Sequence, residues 1–141
     1  MYLMRYFHSN LENIDWTIKI MCDIKTIIID DARLVRTELK KMLEIYPRVK
    51  VIGEAANGRD AITLIKELKP ALVFLDIQMP FVSGLEVLQS VEVDFQVIFI
   101  SSYGKYLPEA RNYDALDFLM KPINKDKLGI ALKKMNKQFV K

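Results

Sequence analysis

One cysteine and one histidine in 141 residues close off several kinds of chemistry. A lone Cys22 excludes a disulfide within the chain and any multi-cysteine metal site. A lone His8 counts against a Ser/His triad and against a His-rich metal centre. Long apolar runs are missing too. None approaches the roughly 20 residues that span a bilayer, and Asn10, Glu12, Asn13 and Asp15 interrupt the N-terminal stretch, so no secretory signal is read there. The cytoplasm is the expected compartment. No repeat or low-complexity segment is present. What remains, 51% hydrophobic and 28% charged, has the composition of a soluble globular protein long enough for one domain with a single core.

The net charge of +3 is unevenly spread. Residues 121–141 carry seven lysines against Asp126, while residues 1–22 balance Arg5 and Lys19 against Glu12 and Asp15, which leaves the middle of the chain net acidic. A basic final helix reads first as a solvated face and only weakly as a surface for an anionic partner. No nucleic-acid binding is read from it.

The chain is organised around residues 71–84, ALVFLDIQMPFVSG. An apolar run bounded by turn signals reads as a strand buried on both faces of a parallel sheet, with Asp76 where the strand emerges. Taken alone, Asp76 reads as a turn or capping residue. Other strands change its meaning. The pattern predicts strands at 25–29, 49–54, 71–76, 96–100 and 115–120. Helices are predicted at 32–46, from the turn at 55–58 through Lys69, and at 84–92, 104–113 and 124–139. Inward faces are expected from Val35, Leu39, Met42, Leu43 and Tyr46, from Ile62, Ile65 and Leu68, and from Leu128, Ala131, Leu132, Met135 and Phe139. Strands alternating with helices argue for a doubly wound parallel α/β sheet with right-handed crossovers, in the flavodoxin-like (βα)5 order 2-1-3-4-5. Residues 1–22 have no clear period and form an N-terminal extension of unclear role, with the domain at 23–141; Met21 is an alternative start.

In that topology Asp30, Asp31 and Asp76 converge on one crevice at the carboxyl ends of the strands, joined by Ser101 and Lys121. Three carboxylates in one cleft repel one another unless a cation is present. A hard divalent ion suits them, and Mg²⁺ suits them best, because it takes few protein ligands and completes its shell with water and phosphate. With a hydroxyl and an ammonium beside it, Asp76 is placed to attack phosphorus.

The motifs IIIDD, LDIQMPFVSG, FISSY and ALDFLMKPI, spread over about residues 24–138, resemble the response regulator receiver domain of two-component signalling. The resemblance implies that Asp76 accepts a phosphoryl group, that Asp31 binds Mg²⁺ directly and Asp30 largely through water, and that the Gln78 backbone carbonyl is a further ligand. It also implies that Ser101 is the switch hydroxyl, Phe118 the aromatic switch and Lys121 the phosphate-binding lysine, with a cis peptide before Pro122. Ser101 stands where the family commonly has Thr, and Ser102 where it has a small Ala. Tyr103 and Gln78 occupy positions that in such proteins tune phosphoryl lifetime, and the lifetime here stays open. The wording is similar to receivers that precede LytTR-type DNA-binding modules, though no such module is expected within this chain. The implied partners are a sensor histidine kinase and a downstream output domain or protein, reached through the face made by the helix at 104–113, the strand at 115–120 and the helix at 124–139. A homodimer through that face stays open. The expected function is a phosphorylation-driven switch rather than an enzyme, with only slow self-phosphorylation and autodephosphorylation. The alternatives are an aspartyl-phosphate phosphohydrolase and a phosphorylation-independent interaction domain.

Overall fold

A computed structural model describes residues 23–102 and 107–140, the side chains of 107 and 136–140 excepted. The expectations for residues 1–22, with His8 and Cys22, for Tyr103 and for the side chain of Phe139 lie outside the described residues. The elements run β1 (Ile24–Ile29), α1 (Arg33–Leu43), β2 (Val49–Ala55), α2 (Gly58–Leu68), β3 (Leu72–Asp76), α3 (Gly84–Gln89), β4 (Gln96–Ser101), α4 (Leu107–Ala110), β5 (Asp117–Met120) and α5 (Lys125–Val140). All strand pairings are parallel, in the order β2-β1-β3-β4-β5. This is the doubly wound arrangement the strand and helix alternation predicts.

Period-two alternation divides the strand residues between two cores. Ile27, Ile29, Val73, Leu75, Val97 and Phe99 pack with Ala61 and Ile65 of α2 and Val87 and Leu88 of α3. Ile28, Leu72, Phe74, Ile98 and Ile100 pack on the other face with Leu39 and Leu43 of α1 and Leu128, Ala131, Leu132 and Met135 of α5. β3 is buried at every position, as a strand with helices on both sides must be. Among the described residues, no helix is long and apolar enough to cross a membrane.

Local chemistry sets the helix ends. The Asn57 side chain accepts a hydrogen bond from the Asp60 N–H at 2.8 Å and starts α2, which ends in a left-handed Lys69 before Pro70. Ser83 and Glu86 form a reciprocal capping box at the start of α3.

The structure shortens several predicted elements. α1 ends at Leu43 because the Tyr46 N–H turns back to the Leu43 carbonyl at 3.0 Å ahead of Pro47. α3 ends at Gln89, where the Ser90 N–H closes onto the Val87 carbonyl. The helix predicted at 104–113 is described only as the four residues of α4, followed by three-residue turns from Asn112 to Glu109 and from Tyr113 to Ala110. Pro108 contributes no N–H there, and Tyr113 leaves helical register to set its ring edge-on to Phe99 at 6.3 Å. In α2 the fully buried contact is Ala61 rather than Ile62, which is only partly covered.

Candidate functional site

The carboxyl ends of β1, β3, β4 and β5 open onto a crevice of about 370 Å³ lined by Asp31, Asp76, Gln78, Met79, Pro80, Ser102 and Lys121. A larger cleft, about 590 Å³, lies where β4 begins and holds no lysine, arginine or serine in its walls. The acids and the lysine meet at the smaller one.

Asp30 and Asp31 follow β1 directly. Asp30 is fully buried. Its N–H donates to the Ala55 carbonyl at 3.1 Å, and its Oδ1 accepts from the Ala32 N–H at 2.8 Å. Asp31 is exposed and faces the crevice. Asp76, 2% exposed, ends β3; its Oδ1 accepts from the Gln78 N–H at 3.1 Å. Lys121 Nζ lies 2.7 Å from Asp30 Oδ2 and 3.3 Å from Asp76 Oδ2, bridging the two buried acids.

The chain reaches α3 from Asp76 by a tight loop. The Gly84 N–H donates to the Ile77 carbonyl at 2.8 Å, and a Cβ on residue 84 would overlap the Asp76 carbonyl, so the approach requires glycine. Phe81 in this loop takes a left-handed φ of 68° with its ring fully exposed.

Electrostatics make Asp76 unusual. Burial, and after it the charge of Asp30, push its carboxyl up to about 7 against the opposing pull of Lys121 and the Gln78 N–H. Carboxylate repulsion is thus real but second to desolvation. Burial works against the Lys121 charge, yet its hydrogen bond with Asp30 and the charges of Asp76 and Asp30 outweigh it and raise its pKa. The ammonium stays charged at neutral pH.

One carboxylate oxygen from each of Asp30, Asp31 and Asp76 lies within 4.8 Å of the others. Asp30 Oδ2 is buried and meets the Lys121 ammonium at 2.7 Å. An all-oxygen set of three carboxylates fits a hard divalent cation.

The remaining predicted residues fall in three places. Gln78 is exposed on the crevice wall. Ser101 is fully buried and does not line the crevice; Phe118 is half-buried against the α2–α3 core and does not line it either. The Lys121–Pro122 bond is cis. Ser102, the residue just past β4, lines the wall instead. Arg36 is also missed by sequence reasoning. Its Nη1 donates to the Asp30 carbonyl at 2.8 Å, a contact that no local spacing announces.

Comparison with known proteins gives this arrangement its family. The model of the response regulator receiver domain matches residues 26–133. The chain belongs to that family. Among curated relatives, an uncharacterised response regulatory protein of Vibrio cholerae is 35% identical over 120 residues, covering 84% of this chain and 51% of the relative. The sensory transduction protein LytT of Bacillus anthracis is 36% identical over 118 residues, covering 82% of this chain and 48% of LytT. This receiver thus spans about half the length of the curated relatives it matches. The receiver domain of AraT from Geobacillus stearothermophilus superposes with a TM-score of 0.75 over 82% of this chain and 94% of that one, at 24% identity, which speaks to the fold.

Proposed function

We propose that this receiver is a phosphoryl-accepting switch in which Asp76 takes a phosphoryl group from a phosphohistidine of a sensor histidine kinase. The observation that carries the reading is a buried carboxylate at the end of β3, Asp76, with an ammonium at 3.3 Å and two further acids within reach of a shared cation. An Asp76 carboxylate oxygen forms the new bond to phosphorus while the phosphorus–nitrogen bond breaks, and the departing imidazole takes a proton from water. Mg²⁺, held by Asp30, Asp31, Asp76 and the Gln78 carbonyl, would offset the charge on the phosphoryl oxygens. Lys121, whose ammonium lies 3.3 Å from Asp76 Oδ2, supplies a second positive charge and holds the phosphoryl group in place. Ser101 moves to donate its hydroxyl to a phosphoryl oxygen, and Phe118 turns inward with it. The face built by α4, β5 and α5 then changes its affinity for an output domain or protein. Only a few kcal/mol of differential stabilisation are needed for such a shift, within reach of a new doubly charged group. Against the phosphohydrolase alternative stands the order of the acids: Asp30 and Asp31 are adjacent after β1, whereas such enzymes place nucleophile and acid two apart after their first strand.

The test adds Mg²⁺ and beryllofluoride to wild type and to Asp76→Asn and follows backbone amide shifts of the α4, β5 and α5 residues. Shifts are expected in wild type alone. An equal response in both proteins refutes the assignment.

A further inference from the structure

The Asp30 peptide is held from both sides by the end of β2. Its N–H donates to the Ala55 carbonyl at 3.1 Å. Its carbonyl accepts from Arg36 Nη1 at 2.8 Å, and the same guanidinium donates through Nε to Glu54 Oε1, also at 2.8 Å. Lys40 engages the other oxygen of that carboxylate. Hydrogen bonds from Lys40 and Arg36 hold the Glu54 carboxyl below its ordinary range, so the anchor is a charged group at neutral pH. The Arg36 side chain is only 14% exposed and is committed to these two acceptors.

We infer that Arg36 is a positioning residue for the cation site, acting through the backbone of Asp30. The inference rests on the reading of Asp30, Asp31 and Asp76 as the cation's ligands. These acids come from two strands, and their spacing is set by how β1 ends beside β3, where Ile29 pairs with Leu75. β3 is fixed by burial on both faces, but the β1 terminus opens at once into the short turn that carries both Asp30 and Asp31. Mg²⁺ demands near-ideal octahedral geometry, so a turn free to shift by a fraction of an ångström loses affinity. Arg36 removes that freedom. A guanidinium suits the task because its planar fork reaches a carbonyl and a carboxylate at once, which an ammonium on a flexible stem does not do with fixed geometry.

Charge and position here predict opposite results. A cation this close to the acids opposes Mg²⁺ by simple Coulomb repulsion, so deleting it on charge grounds alone tightens binding. Loss of positioning weakens it.

The experiment measures the Mg²⁺ dissociation constant of the full chain by isothermal titration calorimetry at fixed pH, for wild type and Arg36→Gln, with unfolding curves in the absence of Mg²⁺ to establish that each protein is folded. The expected result is binding weaker by on the order of tenfold in Arg36→Gln, the scale on which groups that orient metal ligands act. Unchanged or tighter binding overturns the inference. Should Arg36→Gln fail to fold, Glu54→Gln is measured at 0.1 M and about 0.5 M KCl, where added salt screens the lost charge but leaves the lost anchor. A weakening that persists at high salt supports positioning, and one that vanishes overturns it. If wild type itself binds no Mg²⁺, the ligand reading fails and this inference fails with it. Binding by wild type with no loss in the variant fails the positioning role alone.

Discussion

Burial makes the charged Asp76 carboxylate destabilising, and the size of that effect follows from its raised pKa. The group has an ordinary value of 3.8 and is pushed up to about 7 in the folded chain. Between these two values the folded state binds the proton more tightly than the unfolded one, so stability falls as pH rises. Below pH 3.8 the group costs nothing, and above pH 7 the full cost is present. At about 1.4 kcal/mol per pH unit, the shift of roughly three units amounts to about 4 kcal/mol at most. Asp76→Asn removes the titration while keeping an oxygen for the Gln78 N–H. In metal-free buffer the variant is expected to exceed wild type in stability by up to about 4 kcal/mol at pH 8, and to show little advantage at pH 4. Urea unfolding followed by circular dichroism at four or five pH values gives this difference directly, and titrating groups away from Asp30 and Lys121 cancel between the two proteins. Mg²⁺ at 100 times its dissociation constant is expected to return about 2.7 kcal/mol to wild type at pH 8. The reasoning is refuted if the two proteins keep a constant stability difference across the pH range.

Two further predictions concern the backbone. Gly84→Ala drives a Cβ into the Asp76 carbonyl and is expected to cost about 3 kcal/mol in urea unfolding, with Mg²⁺ binding weakened in whatever folded protein remains. Lys69→Gly relieves a non-glycine residue at φ 47° after α2 and is expected to raise stability by about 1 kcal/mol, read as a higher urea midpoint at unchanged slope.

The sheet order and the gathering of Asp30, Asp31, Asp76 and Lys121 were legible because each depends on a local signal. A mainly apolar run ends in each acid or just before the lysine, and the doubly wound topology carries those ends to one edge. The end of α4 at Ala110 was not legible, because the apolar spacing continues in helical register and the contact of Tyr113 with Phe99 is a tertiary one. The place of Ser102 on the crevice wall was not legible, because it lies just past β4, where strand alternation gives no direction. Arg36 lies 18 residues from Glu54 and six from Asp30, and its bridge exists only after α1 docks on β2. No one-dimensional pattern encodes such a contact. The same holds for the shift in register between Thr26 and Ile27 opposite β2, which follows from pairing rather than from propensity.

The position of β3 also bears on how the chain reaches this state during synthesis. β1 lies between β2 and β3, so its partner on one side is available early and its partner on the other only after residue 76 has left the ribosome. Until then the apolar faces of β1, α1 and α2 have no central wall to close against. Cooperative folding is therefore expected to begin late, with release of the strand that ends in Asp76, and the nascent first half is the stage at which chaperone engagement matters most.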